Sequence, residues 1–283
     1  MRPLAALASV SSLRTLRRMK PLLGVVHLRA LPSASRHVSM DEVFSWAFAD
    51  AEALARGGVT GICVENFGDA PFHKGTKDDP VTPDVVAALA VVAQQVQQRH
   101  SLPVMVNCLR NDGVAAIGAA CVAGAKWVRV NVLASAYVTD QGVIEGEAAR
   151  LFAYRRQLGS SVEVMADFMV KHATPLAPFE EKAAARDLAE RSGAAGLILS
   201  GSRTGEPVDA ARIDAVRAAV GEFPIWLGSG LAADNAASLW PRCDGAIVGT
   251  ACKRGGRVDQ RVDAVRVKKL VAALRSAERA RSR

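Results

Sequence analysis

The chain has 283 residues, of which half are hydrophobic and 23% are charged, a composition that excludes general disorder and is sufficient for one large α/β domain. Its formal net charge is +8, but the excess is uneven, because the first 20 residues contain many Arg and no acid. Since the rest of the chain has no basic helix interleaved with aromatic residues, the charge does not indicate nucleic-acid binding.

The first 20 residues are rich in Arg, Ser, Leu and Ala and contain no acidic residue, which is typical of an organelle transit peptide. Their apolar run from Leu4 to Val10 is too short for a membrane span, which needs about 20 residues. We expect residues 1–20 to direct import, into mitochondria before plastids, and residues 21–283 to form the folded domain. The alternatives are a disordered basic arm or upstream sequence before a true start at Met19, on a cytoplasmic protein. The remaining sequence predicts no transmembrane segment.

Eight short β-rich runs alternate with longer helical patterns along the chain, which is typical of parallel βαβ units. Eight strands that are each followed by a helix predict one (β/α)₈ barrel, a TIM barrel of the α/β class; an open doubly wound sheet is the alternative. The predicted strands are residues 22–28, 59–65, 103–109, 126–132, 162–168, 195–200, 224–229 and 244–250. The predicted helices are residues 40–56, 82–100, 112–123, 145–159, 179–192, 209–220, 234–239 and 261–280.

Alternation along the predicted strands indicates which side chains face the barrel interior. An interior normally holds Val, Ile and Leu, yet this one would hold six polar residues, most of them near the carboxyl ends of their strands. Barrel enzymes place their active sites at that end, so this asymmetry indicates a functional rim. The six residues are His27, Glu65, Asn107, Arg129, Asn131 and Asp167.

Asp167 is the first candidate for acid–base chemistry, because it faces inward at the rim and Lys171 follows four residues later. A nearby ammonium group would keep the carboxylate ionised. Glu65 and His27 are further candidates for proton transfer, and Lys171 could instead form a Schiff base. The alternative is a structural network in which Arg129 neutralises a carboxylate of the fifth predicted strand.

Polar residues at the strand ends and in the loops that follow them are candidates for contact with a substrate. They would orient its polar groups at the same rim. These candidates are Asn107, Arg110, Asn111, Asp112, Arg129, Asn131, Ser202 and Thr204.

The seventh predicted strand ends in Gly228-Ser229-Gly230 and the eighth in Gly249-Thr250. In TIM barrels the loops after these two strands commonly bind phosphate, because glycine exposes backbone N–H groups near the start of a helix. We therefore expect a phosphate site and a small anionic metabolite as the partner. Glycine also occurs at strand–helix turns for steric reasons alone, which is the alternative interpretation.

The sequence contains no cofactor motif, so the cofactor stays unknown. A divalent metal held by His27, Glu65, Asp167 and His172 is an alternative that no known ligand spacing supports. Five scattered cysteines form no CxxC pair, which indicates reduced thiols. The basic amphipathic helix 261–280 would pack on the barrel, with peripheral membrane association as the alternative. A homo-oligomer is compatible with the fold, but nothing in the sequence specifies an interface.

Nine segments distributed from about Leu22 to about Val267 resemble the BtpA family, which also includes the SgcQ-like proteins of bacteria. The resemblance implies a (β/α)₈ barrel. Two loops depart from the family pattern, since Ser33 or Ala34 stands where a glycine is usual in the first loop, and Ala134-Ser135 stands where a glycine often follows the RVNV segment. The segments are HLRALPSAS (27–35), VENFGDAPF (64–72), NCLRND (107–112), RVNV (129–132), QGVIEGEA (141–148), ADFMVKHATPL (166–176), SGSRTGEP (200–207), LGSG (227–230) and DGAIVGTACK (244–253).

The resemblance implies two different roles. The family takes its name from photosystem I biogenesis in cyanobacteria, where the protein is peripheral to thylakoid membranes, whereas SgcQ-like members resemble parts of sugar-uptake and sugar-metabolism gene clusters. One hypothesis is therefore an enzyme for a phosphorylated sugar or nucleoside-type metabolite: an isomerase, a lyase or a glycosidic-bond-cleaving enzyme. The other is a non-catalytic biogenesis or stability factor for a membrane complex. Several ionisable groups inside a barrel favour the enzyme, because burying them is costly unless they are paired.

Overall fold

The computed structural model describes residues 20–281 except 171, 179 and 202–204, so most of the predicted transit segment lies outside the described residues. The strands are β1 (Leu22–His27), β2 (Gly61–Glu65), β3 (Val104–Asn107), β4 (Trp127–Val130), β5 (Ala136–Thr139), β6 (Gly142–Glu145), β7 (Glu163–Phe168), β8 (Ala173–Pro175), β9 (Gly196–Leu199), β10 (Ile225–Leu227) and β11 (Gly245–Val248). The α-helices are α1 (Met40–Gly57), α2 (Pro83–His100), α3 (Gly113–Ala123), α4 (Ala148–Gln157), α5 (Glu181–Arg191), α6 (Ala210–Val220), α7 (Ala236–Leu239) and α8 (Ala264–Arg281).

Eight of these strands close into a parallel barrel, in the order β1, β11, β10, β9, β7, β4, β3 and β2. This arrangement confirms the predicted TIM barrel and excludes the open doubly wound sheet. Helices α1 and α3 end at glycines, because Gly58 (φ 93°) and Gly124 (φ 69°) adopt the left-handed conformation that stops a helix. The helix predicted over 234–239 is shorter, since α7 has a single turn and a 3₁₀ turn at Trp240–Arg242 follows it.

The lower part of the barrel interior is apolar, as the alternation of the strands predicted. Trp127 and Trp226 fill its centre with their rings 5.4 Å apart, edge to face, and the indole Nε1 of Trp127 donates to Glu163 Oε2 at 2.6 Å. The two rings belong to a packed apolar cluster, as the interior of a TIM barrel usually is. The remaining interior residues are Leu23, Val25, Cys63, Met105, Met165, Ile198 and Ile247.

Helix α8 packs on the barrel with its apolar side. Val267, Leu270, Val271 and Leu274 are buried, and a Cβ on Gly57 of α1 would come within 2.2 Å of Val267, so α1 and α8 touch closely. The apolar side of α8, which would contact a membrane surface, is therefore buried against the barrel. Within the described residues, no helix combines the length and the apolar character needed to cross a membrane.

A three-stranded antiparallel sheet covers part of the upper rim, in the order β6, β5, β8. The sequence analysis assigned no strand to these segments. Tyr137 and Ile144 face each other across β5 and β6 and are buried against Val132 and Val170. The small sheet therefore has its own apolar cluster and closes the rim beside the carboxyl ends of β4 and β7.

Candidate functional site

Three polar side chains lie at one level of the barrel mouth, on neighbouring strands. His27 pairs with Glu65 and Glu65 with Asn107 in the register of the parallel strands, so their side chains meet above the apolar interior. His27 Nε2 lies 3.7 Å from Glu65 Oε1, and Asn107 Nδ2 donates to Glu65 Oε2 at 2.7 Å. The strand alternation predicted all three inward positions, and the structure brings these residues together.

Arg129 and Asp167 form a buried ion pair beside this group. Arg129 Nη2 donates to Asp167 Oδ2 at 3.0 Å and its Nε to Oδ1 at 3.1 Å, while Asn131 Nδ2 donates to the same carboxylate. Burial lowers the pKa of Arg129, but the Asp167 and Glu65 carboxylates raise it more, so the pKa lies above its ordinary value. Asp167 is thus paired with Arg129, which is the contact that the structural alternative describes, and its role in acid–base chemistry stays a prediction.

A cavity of about 250 Å³ opens above His27, Glu65 and Arg129. The ring of Phe67 packs edge-on against the His27 imidazole, with the centroids 4.8 Å apart. Apart from Val25, Val248 and Gly205, the other walls come from the loops after β10 and β11, which are the two loops predicted to bind phosphate. Their residues in the wall are Ser229, Gly230, Leu231, Ala232, Gly249, Thr250, Ala251 and Gly256.

Hydrogen bonds hold the loop after β10 in place. Ser229 Oγ accepts from Gly201 N and donates to Glu206 O, both at 3.2 Å, so the hydroxyl predicted to bind phosphate joins two loops. The side chain of Asn235 bonds Ala232 N at 2.9 Å and Gly230 O at 2.8 Å. The loop therefore presents a fixed backbone surface to the cavity.

Glycine is required at two points of this wall. Gly230 has φ 72°, and a Cβ there would lie 2.2 Å from Glu206 O. A Cβ on Gly249 would lie 2.9 Å from Cε1 of His27. The glycines let the loops approach each other and the imidazole, which is the close packing that a preformed site needs.

A buried pair that the sequence analysis missed fixes the loop after β11. Lys253 Nζ lies 2.7 Å from Asp50 Oδ2, and both side chains are 1% exposed. Asp50 Oδ1 also accepts from Val262 N at 3.0 Å and lies 3.2 Å from Arg261 Nε. Asp50 lies on α1, about 200 residues from its partners, so no local motif could have revealed the contact. Its consequence is a rigid connection next to Thr250.

Two residues that were predicted to contact the substrate form hydrogen bonds with backbone groups of the protein. Asn111 bonds both backbone polar groups of Val132, at 2.6 and 2.9 Å. Asp112 caps α3 through Ala115 N at 2.9 Å and also accepts from Val81 N at 3.1 Å. Both residues shape the rim loops, and their contact with a substrate stays a prediction.

Arg110 follows β3 in the chain and is only 9% exposed. Burial lowers its pKa, and the attraction of Asp167 opposes this effect only in part. Three other predicted site residues, Lys171, Ser202 and Thr204, lie outside the described residues. In the part of the chain that is described, no group of three or more His, Cys, Asp or Glu side chains is placed to hold a metal ion.

Comparison with known proteins matches most of the chain to one family. The model of the BtpA family matches residues 18–276. A photosystem I biogenesis protein BtpA of Synechocystis is 41% identical over 262 residues, 92% of this chain and 90% of that protein. An uncharacterized protein of Thermococcus kodakarensis is 44% identical over 253 residues, 89% and 94% of the two chains. An uncharacterized mitochondrial protein of Caenorhabditis elegans is 27% identical over 276 residues, 94% and 97% of the two chains.

Solved structures with the same fold include barrel enzymes. Orotidine 5'-phosphate decarboxylase from Pyrococcus horikoshii superposes with a TM-score of 0.54 at 14% identity, covering 89% of this chain and 99% of that one. N-(5'-phosphoribosyl)anthranilate isomerase from Pyrococcus furiosus gives 0.53 at 14% identity, covering 92% and 100%. At this identity the likeness shows the shared TIM-barrel fold.

Proposed function

The chain belongs to the BtpA family, and from that premise we propose that it is an enzyme acting on a small phosphorylated metabolite, of sugar or nucleoside type, at the carboxyl-terminal rim of the barrel. One observation carries the proposal: a single cavity of about 250 Å³ is bordered both by the proton-transfer pair His27 and Glu65 and by the glycine-rich loops after β10 and β11. A protein without turnover has no need to place a titratable pair beside such loops.

The phosphate group would lie against Gly228, Ser229 and Gly230 on one side and against Gly249 and Thr250 on the other. These residues belong to the last two barrel strands and their loops, where TIM barrels commonly bind phosphate. Solved structures that share the fold bear the names of phosphorylated compounds, namely orotidine 5'-phosphate and 5'-phosphoribosyl anthranilate. The guanidinium of Arg129 in the floor of the cavity would contribute positive charge.

Proton transfer is the chemical step that the site supports best. Imidazole is the side chain best suited to exchange protons near neutral pH, and a carboxylate beside it can accept or return the proton. In this scheme His27 Nε2 and Glu65 exchange a proton with the substrate, while Arg129 stabilises negative charge that develops on a substrate oxygen. Asp167 is a positioning residue that holds Arg129. Isomerisation, lyase chemistry and glycosidic cleavage all contain such a step.

Thermal unfolding of the full chain tests the phosphate site. A ligand that binds only the folded state raises the melting temperature with its concentration, so inorganic phosphate and ribose 5-phosphate should raise it. Ala232→Asp places a carboxylate in the cavity wall and should abolish the shift. Ala233→Asp is the matched control, because Ala233 is outside the described lining of the cavity, and it should keep the shift. No shift with any phosphorylated compound would overturn the proposal.

Turnover is tested separately from binding. His27→Ala and Glu65→Gln should bind phosphate as the unmodified chain does but should not exchange carbon-bound protons of ribose 5-phosphate with deuterium in D₂O. Deuterium exchange that persists in both variants would exclude the assigned pair.

A second candidate function is a biogenesis or stability factor for a membrane complex. The observation that favours it is the 41% identity to the Synechocystis protein named for photosystem I biogenesis. Restoration of photosystem I in a strain lacking that protein decides between the two. If His27→Ala restores it as well as the unmodified chain, the biogenesis role is independent of the proposed chemistry.

We also propose that residues 1–20 direct import into mitochondria. The basic, acid-free composition of this segment supports the proposal, and the relative from Caenorhabditis elegans bears a mitochondrial name. A fluorescent protein carrying residues 1–20 should reach mitochondria, whereas one with Arg14, Arg17 and Arg18 changed to Glu should stay in the cytosol. Delivery to plastids or uniform cytosolic fluorescence would contradict mitochondrial import.

A further inference from the structure

Two buried asparagines present carbonyl oxygens without a hydrogen-bond donor. Asn107 and Asn131 are 1% and 4% exposed, and Oδ1 of each has no partner among the described residues. Their Nδ2 atoms donate to Glu65 and Asp167. An ionised carboxylate can only accept hydrogen bonds, so the orientation of both amides is determined by chemistry. The two Oδ1 atoms are therefore acceptors that no described residue satisfies, in side chains closed off from solvent.

A third polar atom lies on the other side of the same mouth. Ser200 Oγ is buried and without a partner among the described residues. A Cβ on Gly228 would lie 2.6 Å from this hydroxyl and 3.3 Å from Arg129 Nη2, so Ser200 and Arg129 border the same point. Buried polar groups are nearly always satisfied, and three such atoms around one ion pair indicate positions that a ligand occupies.

We propose that Asn107 and Asn131 accept hydrogen bonds from two hydroxyl groups of the substrate, which makes the substrate a polyhydroxylated sugar phosphate. The inference rests on the proposed function, because it places the phosphate in the cavity beside Thr250. A phosphorylated compound that carries only acceptors would leave both amide oxygens unsatisfied, and a site built in this way rejects it.

The two asparagines take two separate hydroxyls of one compound. Asn107 is in register with Arg129, so Asn131 lies one strand across and two residues further along. With strands about 4.8 Å apart and a rise of about 3.3 Å per residue, the two Cα atoms are about 8 Å apart. A hydroxyl has one proton to donate, so two acceptors take two hydroxyls, and hydroxyls on different carbons of one sugar can lie at this spacing.

Calorimetric titration of the full chain tests this inference on the ligand side, without any variant. The probes are inorganic phosphate, the sugar phosphates ribose 5-phosphate and glucose 6-phosphate, and the acceptor-only compounds phosphoenolpyruvate and phosphonoacetate. At least one sugar phosphate should bind about tenfold or more tightly than the other compounds, as expected for two added hydrogen bonds. Sugar phosphates that bind no more tightly than inorganic phosphate would overturn the inference.

Asn107→Ala and Asn131→Ala test the protein side. Each should weaken binding of the preferred sugar phosphate by about tenfold and leave the affinity for inorganic phosphate unchanged. Equal loss for both ligands would contradict the assignment of the amides to hydroxyl groups, and if a variant does not fold, the comparison of ligands with the unmodified chain decides alone. Failure of inorganic phosphate to bind the unmodified chain would instead remove the proposed function itself.

Discussion

Arg129 and Asp167 join β4 to β7 through a buried ion pair in which two nitrogens of one guanidinium contact one carboxylate. The side chains are only 6% and 2% exposed. This pair separates the apolar interior below it from the cavity above it. Because Glu65 lies near the same guanidinium, two carboxylates share one cation in the floor of the site, and the electrostatics of the rim depend on Arg129.

Removal of one partner should therefore destabilise the whole barrel. Asp167→Asn keeps the shape of the side chain but leaves the Arg129 charge buried without its main partner, which is expected to lower the free energy of unfolding by about 3–5 kcal/mol. Urea denaturation followed by circular dichroism measures this value. The control is Asp259→Asn, which breaks the exposed pair with Arg257 and should leave stability unchanged. An Asp167→Asn protein as stable as the unmodified chain would show that Glu65 alone compensates the guanidinium.

The contact between the loops at Gly230 and Glu206 predicts a difference between two glycines. Both Gly230 (φ 72°) and Gly159 (φ 58°) have positive φ, but a Cβ on Gly159 meets nothing within 4 Å. Gly159→Ala should cost only the backbone strain, about 1 kcal/mol. Gly230→Ala must also displace the backbone of Glu206, and we expect an additional loss of about 1–3 kcal/mol. Equal losses in urea denaturation would mean that the loop around Glu206 moves away freely.

Two aspartates of the rim loops should give stability profiles of opposite slope against pH. Burial raises the pKa of Asp69 above its ordinary 3.8, so its carboxylate destabilises the folded protein progressively as the pH rises from about 3.8 through the raised pKa. Hydrogen bonds from Lys74 N and His73 lower the pKa of Asp79, so its contribution is present above 3.8 and is lost as the pH falls through the lowered pKa.

Asn variants at these two positions allow the measurement. The free energy of unfolding of Asp69→Asn, relative to the unmodified chain, should increase between pH 4 and pH 7. The corresponding difference for Asp79→Asn should become less negative when the pH falls below 4. The same trend in both variants would contradict the opposite directions of the two pKa shifts.

Much of this fold and of the polar layer could be predicted from the sequence. Side chains along a parallel barrel strand point alternately into the barrel and toward the surrounding helices, and these two sides favour different residue types. Glu65 and Asp167 were placed inward by alternation alone, and the structure confirms it. The small sheet was missed, although Tyr137-Val138 and Val143-Ile144 alternate around a turn. Its strands of three or four residues are short enough to be interpreted as loop, and they pack against Val132 and Val170, which a local pattern does not show.

The roles of individual polar residues were less predictable. Asn111 and Ser229 are polar residues in rim loops, as substrate-binding residues would be, but their partners are backbone atoms of distant loops. The pair formed by Lys253 and Asp50 likewise depends on how α1 packs beside the loop after β11. Side-chain type and position along a strand indicate which residues reach the rim, whereas only the assembled loops decide which of them are already satisfied there.

The burial of the cysteines predicts that one thiol of five will react quickly in the folded protein. The thiolate is the reactive form, and burial raises the pKa of Cys243 and of Cys252 to about 12 and that of Cys63 and Cys108 well above the ordinary 9.0. Cys121 on α3 is the partly exposed member of the set. At pH 8, Ellman's reagent should therefore modify one thiol in a fast phase and all five after denaturation. Cys121→Ser should remove the fast phase, and a second fast thiol in that variant would mean that the barrel opens far more readily than its buried core allows.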